Sequence, residues 1–356
     1  MNSNEGNKAS LSAQDLVYLN EEIAAMARAG LPLEEGLQSI AKEMAWGNLK
    51  SATLEIQKDL SAGKTLPEAL ALQKGRIPPF YSELVNAGIQ GGSLPQVLST
   101  LTTYARGLSD LRSLVITALF YPFLVMGIAI GLFTLILVYV IPQFELIFRD
   151  FGMQLPGVTR LVLSLASNPI YFIVLPCVVF IAALLLLRGL MRSSETGACW
   201  WTRLVYSIPV MGTLIRAARL AAFTDLLGIL VEQNLPLPQA IRLAGDAGSD
   251  PFLRKGAHEI ATSLEKGESL QDALKAGKVL PDVIVWMAGL GEMKGNLAST
   301  LRQAAQMYRR QVEMRASLAQ SIIPPFLIVG IAAIITGLFV LAIFMPLVKL
   351  LEGLSK

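Results

Sequence analysis

Few residues in this 356-residue chain are of a type and spacing that could do chemistry. The one histidine, His258, stands next to Glu259 and opens like a zinc-protease His-Glu-x-x-His, but position 262 is Thr, so the second ligand one helical turn on is missing. His258 therefore reads as a surface histidine. Cys177 lies in an apolar run and Cys199 just beyond it, too far apart along a helix to bridge and with no histidine to activate either thiol. Gly88, Gly91 and Gly92 form a cluster, yet they follow a helix and not a strand, so they point to helix termination and away from a dinucleotide site. No Gly-x-x-x-x-Gly-Lys-Ser/Thr phosphate loop occurs, so the chain is not itself a nucleotide-driven motor. No catalytic residue, metal site or cofactor is predicted.

What must be positioned is instead a set of helices, some of them in a membrane. Apolar residues make up 53% of the chain and charged ones 16%, against about 45–50% and about 25% in ordinary soluble domains. Three runs lack every Asp, Glu, Lys, Arg and His: 113–144 (32 residues), 161–187 (27) and 316–348 (33). Each exceeds the ~20 residues that cross a ~30 Å hydrocarbon core, so three transmembrane helices are expected. Their lack of carboxylates leaves no pair for intramembrane proteolysis and no buried ionisable group for an ion relay. Gly127 and Gly131 make one Gly-x-x-x-Gly match, which points only to helix packing.

Lys and Arg total 10 in residues 1–118, 2 in 142–170, 16 in 188–322 and 2 in 346–356. The positive-inside rule therefore puts both large segments in the cytoplasm and the connecting loop and C-terminus outside. The first 30 residues hold four acids and no apolar core of a secretory signal. A net charge of +3 is too small for the basic surface of a nucleic-acid binder, so nucleic acid is not an expected partner.

The two large segments repeat each other. Ala29-Gly30-Leu31-Pro32-Leu33 matches Gln233-Asn234-Leu235-Pro236-Leu237 at an offset of 204, as the stretch 63–70 matches 267–274. Gly92-Ser93-Leu94 matches Gly295-Asn296-Leu297, and Pro122-Phe123-Leu124 matches Pro325-Phe326-Leu327, at 203. Apolar spacing of three and four predicts helices near 12–29, 32–44, 48–62, 66–73, 79–88 and from 94, then 214–233, 236–247, 250–265, 270–276, 281–290 and from 297. Ser12 with Asp15, Thr65 with Glu68 and Ser269 with Asp272 have the spacing of capping boxes. The expected fold is all-α, a polytopic membrane protein with two homologous cytoplasmic helical-bundle domains and three transmembrane helices. The layout is domain 1 at 1–112, a span at 113–142, an outer loop at 143–168, a span at 169–188, domain 2 at 189–315, a span at 316–346 and an outer tail at 347–356.

Taken together, the duplicated domain, the segment Ile208-Pro209-Val210-Met211-Gly212, the motif Gly291-Glu292-Met293-Lys294-Gly295-Asn296-Leu297 and a Pro-Phe-Leu at the start of two spans resemble the type II secretion F-protein and type IV pilus platform family. The resemblance covers about Leu16 to Leu350, and in the first copy Gly88, Gly92 and Leu94 match the motif while Ile89 stands at the place of Glu292. It implies a non-catalytic platform in the bacterial inner membrane, its loop and tail periplasmic. The implied partners are a hexameric secretion or pilus-assembly ATPase, pilin or pseudopilin subunits, other inner-membrane assembly proteins and further copies of the chain. Pro122 and Pro325 remove a helix hydrogen bond and are candidate bends; Pro209 and Gly212 are further candidates, and Glu292 is expected to cap the helix that begins near Leu297. A membrane transporter or channel subunit is the alternative, weakened by the scattering of Thr134, Tyr139, Ser164 and Thr336. A membrane enzyme would need a nucleophile or metal cluster.

Overall fold

The computed structural model describes residues 10–140, 175–192, 195–208, 211–248 and 250–354. The expected outer loop 143–168, residues 169–174 and Pro209 lie outside the described residues. The elements are α-helical: α1 (Ala13–Ala29), α2 (Leu33–Glu43), α3 (Asn48–Ser61), α4 (Leu66–Leu72), α5 (Phe80–Gln90) and α6 (Leu94–Leu135), followed by a π-helical turn (Ile136–Val140). Then come α7 (Leu175–Arg192), α8 (Glu195–Ser207), α9 (Met211–Glu232), α10 (Leu237–Ala247), α11 (Pro251–Glu265), α12 (Leu270–Ala276), α13 (Asp282–Met293) and α14 (Leu297–Leu354).

Local chemistry explains where these helices start and stop. Asp15 N donates to Ser12 Oγ at 3.1 Å while Ser12 N donates to Asp15 Oδ2 at 2.9 Å, so the box before α1 closes on both sides. The same reciprocity holds for Thr65 and Glu68 before α4. At α12 it does not: the Ser269 hydroxyl accepts from Asp272 N at 3.2 Å and donates to the Asp272 carboxylate at 2.7 Å, which takes the place of the return bond to the Ser269 amide. Gly30 (φ 63°) and Asn234 (φ 57°) end α1 and α9 in the left-handed conformation that these residue types tolerate best. Pro32 and Pro236 follow in extended backbone one residue ahead of α2 and α10, as N-caps and not as first-turn residues. Two expected boundaries move: α9 begins at Met211, and α13 runs on to Met293.

Contacts divide the chain into two units. The first holds residues 1–115 with 206–313. In it α1 to α5 pack in succession and α9 to α13 do the same, so the repeat seen in the sequence is a repeat of packing. Equivalent core positions are filled alike: Leu37 with Ile241, Ile56 with Ile260 and Leu70 with Leu274 are all buried. Each such side chain contributes about 1.5–3 kcal/mol on burial, which is what holds short helices such as α4 and α12 in place.

The second unit holds residues 116–205 with 314–356. Among the described residues, two helices are long and apolar enough to cross a membrane, α6 over Leu94–Leu135 and α14 over Leu297–Gly337; their most apolar windows are only 6% and 11% buried, unlike the core helix of a soluble protein. The described part of the other expected span is helical as α7. Gly127 and Gly131 face open space, with nothing within 4 Å of an added Cβ, so the Gly-x-x-x-Gly stretch mediates no packing among the described residues.

Candidate functional site

The two motif turns have the same geometry, and glycine is required twice in each. After α5, Ser93 N donates to Gly88 O at 2.8 Å and Gly92 takes φ 63°; after α13, Asn296 N donates to Gly291 O at 2.9 Å and Gly295 takes φ 67°. This is the six-to-one closure of a helix C-terminus, which needs a left-handed residue at the turn. The other glycine is needed for space. A methyl group at Gly88 would lie 2.9 Å from Val97 Cγ2, and one at Gly291 would lie 2.8 Å from Thr300 Oγ1 and 3.0 Å from Leu297 Cα. Gly88 and Gly291 therefore let α5 and α13 lie against the first turns of α6 and α14, fixing the angle at which those helices depart. Leu94 and Leu297 are the first residues of α6 and α14 and are half-buried against this junction.

Glu292 does not make the expected cap. Because α13 continues to Met293, Glu292 sits in its last turn, exposed, and its side chain makes no hydrogen bond or ion pair among the described residues. The turn through Gly295 separates it from α14, and the N-cap position falls to Asn296, whose main-chain oxygen accepts from Thr300 N at 3.2 Å and whose side-chain oxygen accepts from Thr300 Oγ1 at 3.2 Å. A carboxylate at a helix C-terminus faces the negative end of the dipole. Local stability thus gives Glu292 no reason to be acidic.

Pro122 lies inside α6 and Pro325 inside α14, both helices running unbroken through them. Gly212 is explained by contact: a Cβ there would lie 2.4 Å from Tyr206 O, and Gly212 N donates to Ile208 O at 2.8 Å, closing the turn between α8 and α9. Tyr206 is itself anchored. Its hydroxyl donates to Asp250 Oδ2, and Arg219 Nη1 lies 3.1 Å from the hydroxyl and 3.3 Å from the same carboxylate oxygen. Burial first, and then the bond to the Asp250 carboxylate, push the Tyr206 pKa up to about 12. Asp250 also caps α11, accepting from Phe252 N at 2.9 Å. Sequence reasoning missed this cluster, whose members are spread over 45 positions; the one available signal was Asp250 preceding Pro251, an N-cap followed by a first-turn proline.

Between the copies, Arg309 of α14 donates to Asp110 of α6 at 2.9 Å. Beside this pair is a cavity of about 150 Å³ lined by Tyr104, Leu108, Ala221, Asp225 and Arg302 among others. Burial raises the Asp225 pKa, and the nearby Arg302 and Arg309 partly offset the rise. His258 is exposed and lies 2.9 Å from Asp246 Oδ1, a surface pair, and no group of three or more His, Cys, Asp or Glu able to hold a metal occurs among the described residues.

The family model described as type II secretion system (T2SS), protein F matches two segments, residues 21–142 and 223–346, the first containing one motif turn and all of α6, the second the other motif turn and α14 as far as residue 346. The chain belongs to the type II secretion system protein F family. Among similar proteins, the type IV pilus assembly protein TapC of Aeromonas hydrophila is 27% identical over 96% of this chain and 83% of its own length. The type II secretion system protein F of the same organism is 27% identical over 95% of this chain and 87% of its own length. The type IV pilus assembly protein PilC of Myxococcus xanthus is 26% identical, over 96% and 81%. Family members of both kinds thus align along nearly the whole chain at the same identity.

Proposed function

We propose that this family member is a non-catalytic platform in the bacterial inner membrane that couples a hexameric assembly ATPase in the cytoplasm to polymerisation of pilin or pseudopilin subunits, in a type IV pilus or type II secretion machine that includes other inner-membrane assembly proteins. The observation that carries the reading is the pair of unbroken helices. At the same place in each repeat, one helix starts at a bundle junction fixed by glycine and continues into an apolar stretch: α6 over 42 residues and α14 over 58. A helix is stiff enough to carry a displacement of one end to the other, and Pro122 and Pro325 are the positions at which such helices would bend. In this reading the two bundles face the cytoplasm, residues 169–188 form a third span, and the 143–168 loop and the C-terminus face the periplasm.

The coupling is tested by inserting Gly-Gly-Ser after Arg112 in a strain lacking the chromosomal copy. Retained membrane insertion and retained copurification with the ATPase, together with lost pilus assembly or secretion, are expected; assembly at the normal level would overturn the coupling role. Topology is tested separately with an impermeant thiol reagent, which should label Gly157→Cys and not Gly267→Cys in intact cells.

A further inference from the structure

Helix α8 carries an apolar face that the chain leaves uncovered. Trp200, 68% exposed, and Leu204, 46% exposed, stand four residues apart, and Ile208, also exposed, follows one turn on. That spacing puts the three in one stripe along the helix. The opposite side is taken, since Thr202 is 3% exposed and Tyr206 carries the bond to Asp250. Arg203, exposed, flanks the stripe.

What covers the stripe follows from where α8 stands in the chain. The uncharged run of α7 ends at Leu187, with Leu186 and Leu187 exposed, and the helix continues only to Arg192, ~8 Å further at about 1.5 Å per residue. The headgroup layer on one side of a bilayer is about 5–8 Å deep, so a helix that starts at Glu195 starts at that level. The turn between the two helices is tight. A Cβ at Gly197 would lie 2.4 Å from Met191 O and 2.9 Å from Met191 Cα, so glycine lets the first turn of α8 back onto the last turn of α7. α8 is thereby held at the end of the apolar helix. Residues 188–207 hold three arginines, Arg188, Arg192 and Arg203, against one acid, Glu195. Tryptophan beside arginine suits a membrane surface, where the indole sits at headgroup depth and the cations meet anionic lipid.

We infer that α8 lies in the cytoplasmic surface of the membrane, with the stripe of Trp200, Leu204 and Ile208 sunk at the boundary of headgroups and acyl chains and Arg203 at the phosphates of anionic phospholipid. The inference rests on the third span proposed above, residues 169–188. A protein partner would have to enter the headgroup layer to reach the same stripe. Because Gly212 closes the turn from α8 into α9, the anchor sets the depth at which the chain enters the second copy.

The full chain reconstituted in vesicles of phosphatidylcholine with a third phosphatidylglycerol tests it. The chain has four tryptophans, so Trp46→Phe, Trp201→Phe and Trp286→Phe together leave Trp200 as the single indole. Its fluorescence should be quenched more by lipid brominated near the headgroup than by lipid brominated near the chain end. Bromine on phosphatidylglycerol should quench at least about twofold more than the same mole fraction of bromine on phosphatidylcholine. A nitroxide at Leu204→Cys, with Cys177→Ser and Cys199→Ser and every tryptophan kept, gives a second measurement. Dissolved oxygen should relax it more than a water-soluble nickel chelate does, and at Glu259→Cys, exposed on α11, the order should reverse. Trp200 quenched by aqueous acrylamide and not by lipid would put the face in water, and an indole shielded from both would put a protein on it. Either result overturns the inference, as does equal quenching by the two lipids. With Gly157→Cys labelled and Gly267→Cys protected in intact cells, such a failure falls on the inference alone; the same labelling result at both positions would remove the third span and the inference with it.

Discussion

The first copy buries a cation, Arg76 against Glu55, and pairs Glu21 with Arg106 at its rim, whereas the second buries a carboxylate, Asp250 against Arg219, half-buries Asp225 and sends Arg309 across to Asp110. The backbones show no such divergence. Both copies end their first helix in a left-handed residue, stack five helices in the same order and turn on the same two glycines. The contrast teaches that the bundle geometry is set by features common to both copies, while the side chains that differ between them decide what each copy touches. Changes at shared positions should therefore cost both copies alike, and changes at divergent positions should cost only one.

The largest difference is expected where a buried network in one copy faces nothing in the other. Asp250, 2% exposed, joins Tyr206, Arg219 and the α11 amides, while Trp46, at the same register in the first copy, is 90% exposed. Removing one partner of a buried charge pair costs about 3–5 kcal/mol, and the partial exposure of Arg219 puts Asp250→Ala at the low end, about 3 kcal/mol. Trp46→Ala should cost less than about 0.5 kcal/mol. Thermal unfolding of the full chain in detergent measures both, and equal losses would break the comparison.

Next come the junction glycines, where the copies should behave alike in kind and differ in degree. Gly291→Ala brings a methyl group to 3.0 Å from backbone at Leu297 Cα, whereas Gly88→Ala meets the Val97 side chain at 2.9 Å and the matching backbone atom, Leu94 Cα, only at 3.3 Å, so the first junction has more room to give. Overpacking of this sort costs about 1–3 kcal/mol, with Gly291→Ala expected near the top of that range and Gly88→Ala near the bottom. A smaller loss at Gly291 than at Gly88 in the same melting experiment would reverse the ranking of the two junctions.

A smaller effect follows from Asp225. Burial raises its folded-state pKa above the ordinary carboxylate value, so between those two values the folded chain holds a proton that the unfolded chain has lost. Its unfavourable contribution is therefore fully present above the folded pKa and is relieved as pH falls towards the ordinary value. Asp225→Asn should raise the melting temperature slightly at neutral pH and flatten the rise seen on mild acidification. Glu21→Gln, at the matching and more exposed position, removes an exposed ion pair with Arg106 and should not raise the melting temperature at neutral pH. A steeper pH dependence in Asp225→Asn would show that Arg302 and Arg309 outweigh burial.

Much of this architecture was legible from residue types because its determinants are local. Gly30, Asn234 and the Ser12 and Thr65 boxes act within one turn of themselves, and helix boundaries followed to within a few residues. The end of α13 was misplaced for a non-local reason. Gly289 and Gly291 look like terminators, yet both lie inside the helix, Gly291 to make room for Thr300 and Gly289 beside the Gln271 side chain. The Tyr206–Asp250–Arg219 cluster and the Arg309–Asp110 pair were illegible for the same reason, since neither has a spacing that a helix or turn imposes. Gly107, where a Cβ would lie 3.1 Å from Arg309 Nη1, shows in the sequence only as one more glycine in a long helix.

The misplaced boundary is what changes the meaning of Glu292, and the smallest expected effect on stability is found there. With the helix ending at Met293, the carboxylate is exposed, next to the negative end of α13 and without a partner on its own chain among the described residues. Glu292→Ala should accordingly shift unfolding by no more than about 0.5 kcal/mol in either direction, the range of surface substitutions. Ile89→Ala, at the matching exposed site of the first copy, should do no more. If Glu292 serves a partner, the two variants separate in the cell: pilus assembly or secretion falls with Glu292→Ala, holds with Ile89→Ala and is partly restored by Glu292→Asp, which keeps the charge. A loss of melting temperature that matches the loss of assembly would instead return Glu292 to a structural role. Unchanged assembly in all three variants would leave the motif explained by Gly291 and Gly295 alone, as a junction that sets the angle of α14 and contacts nothing else.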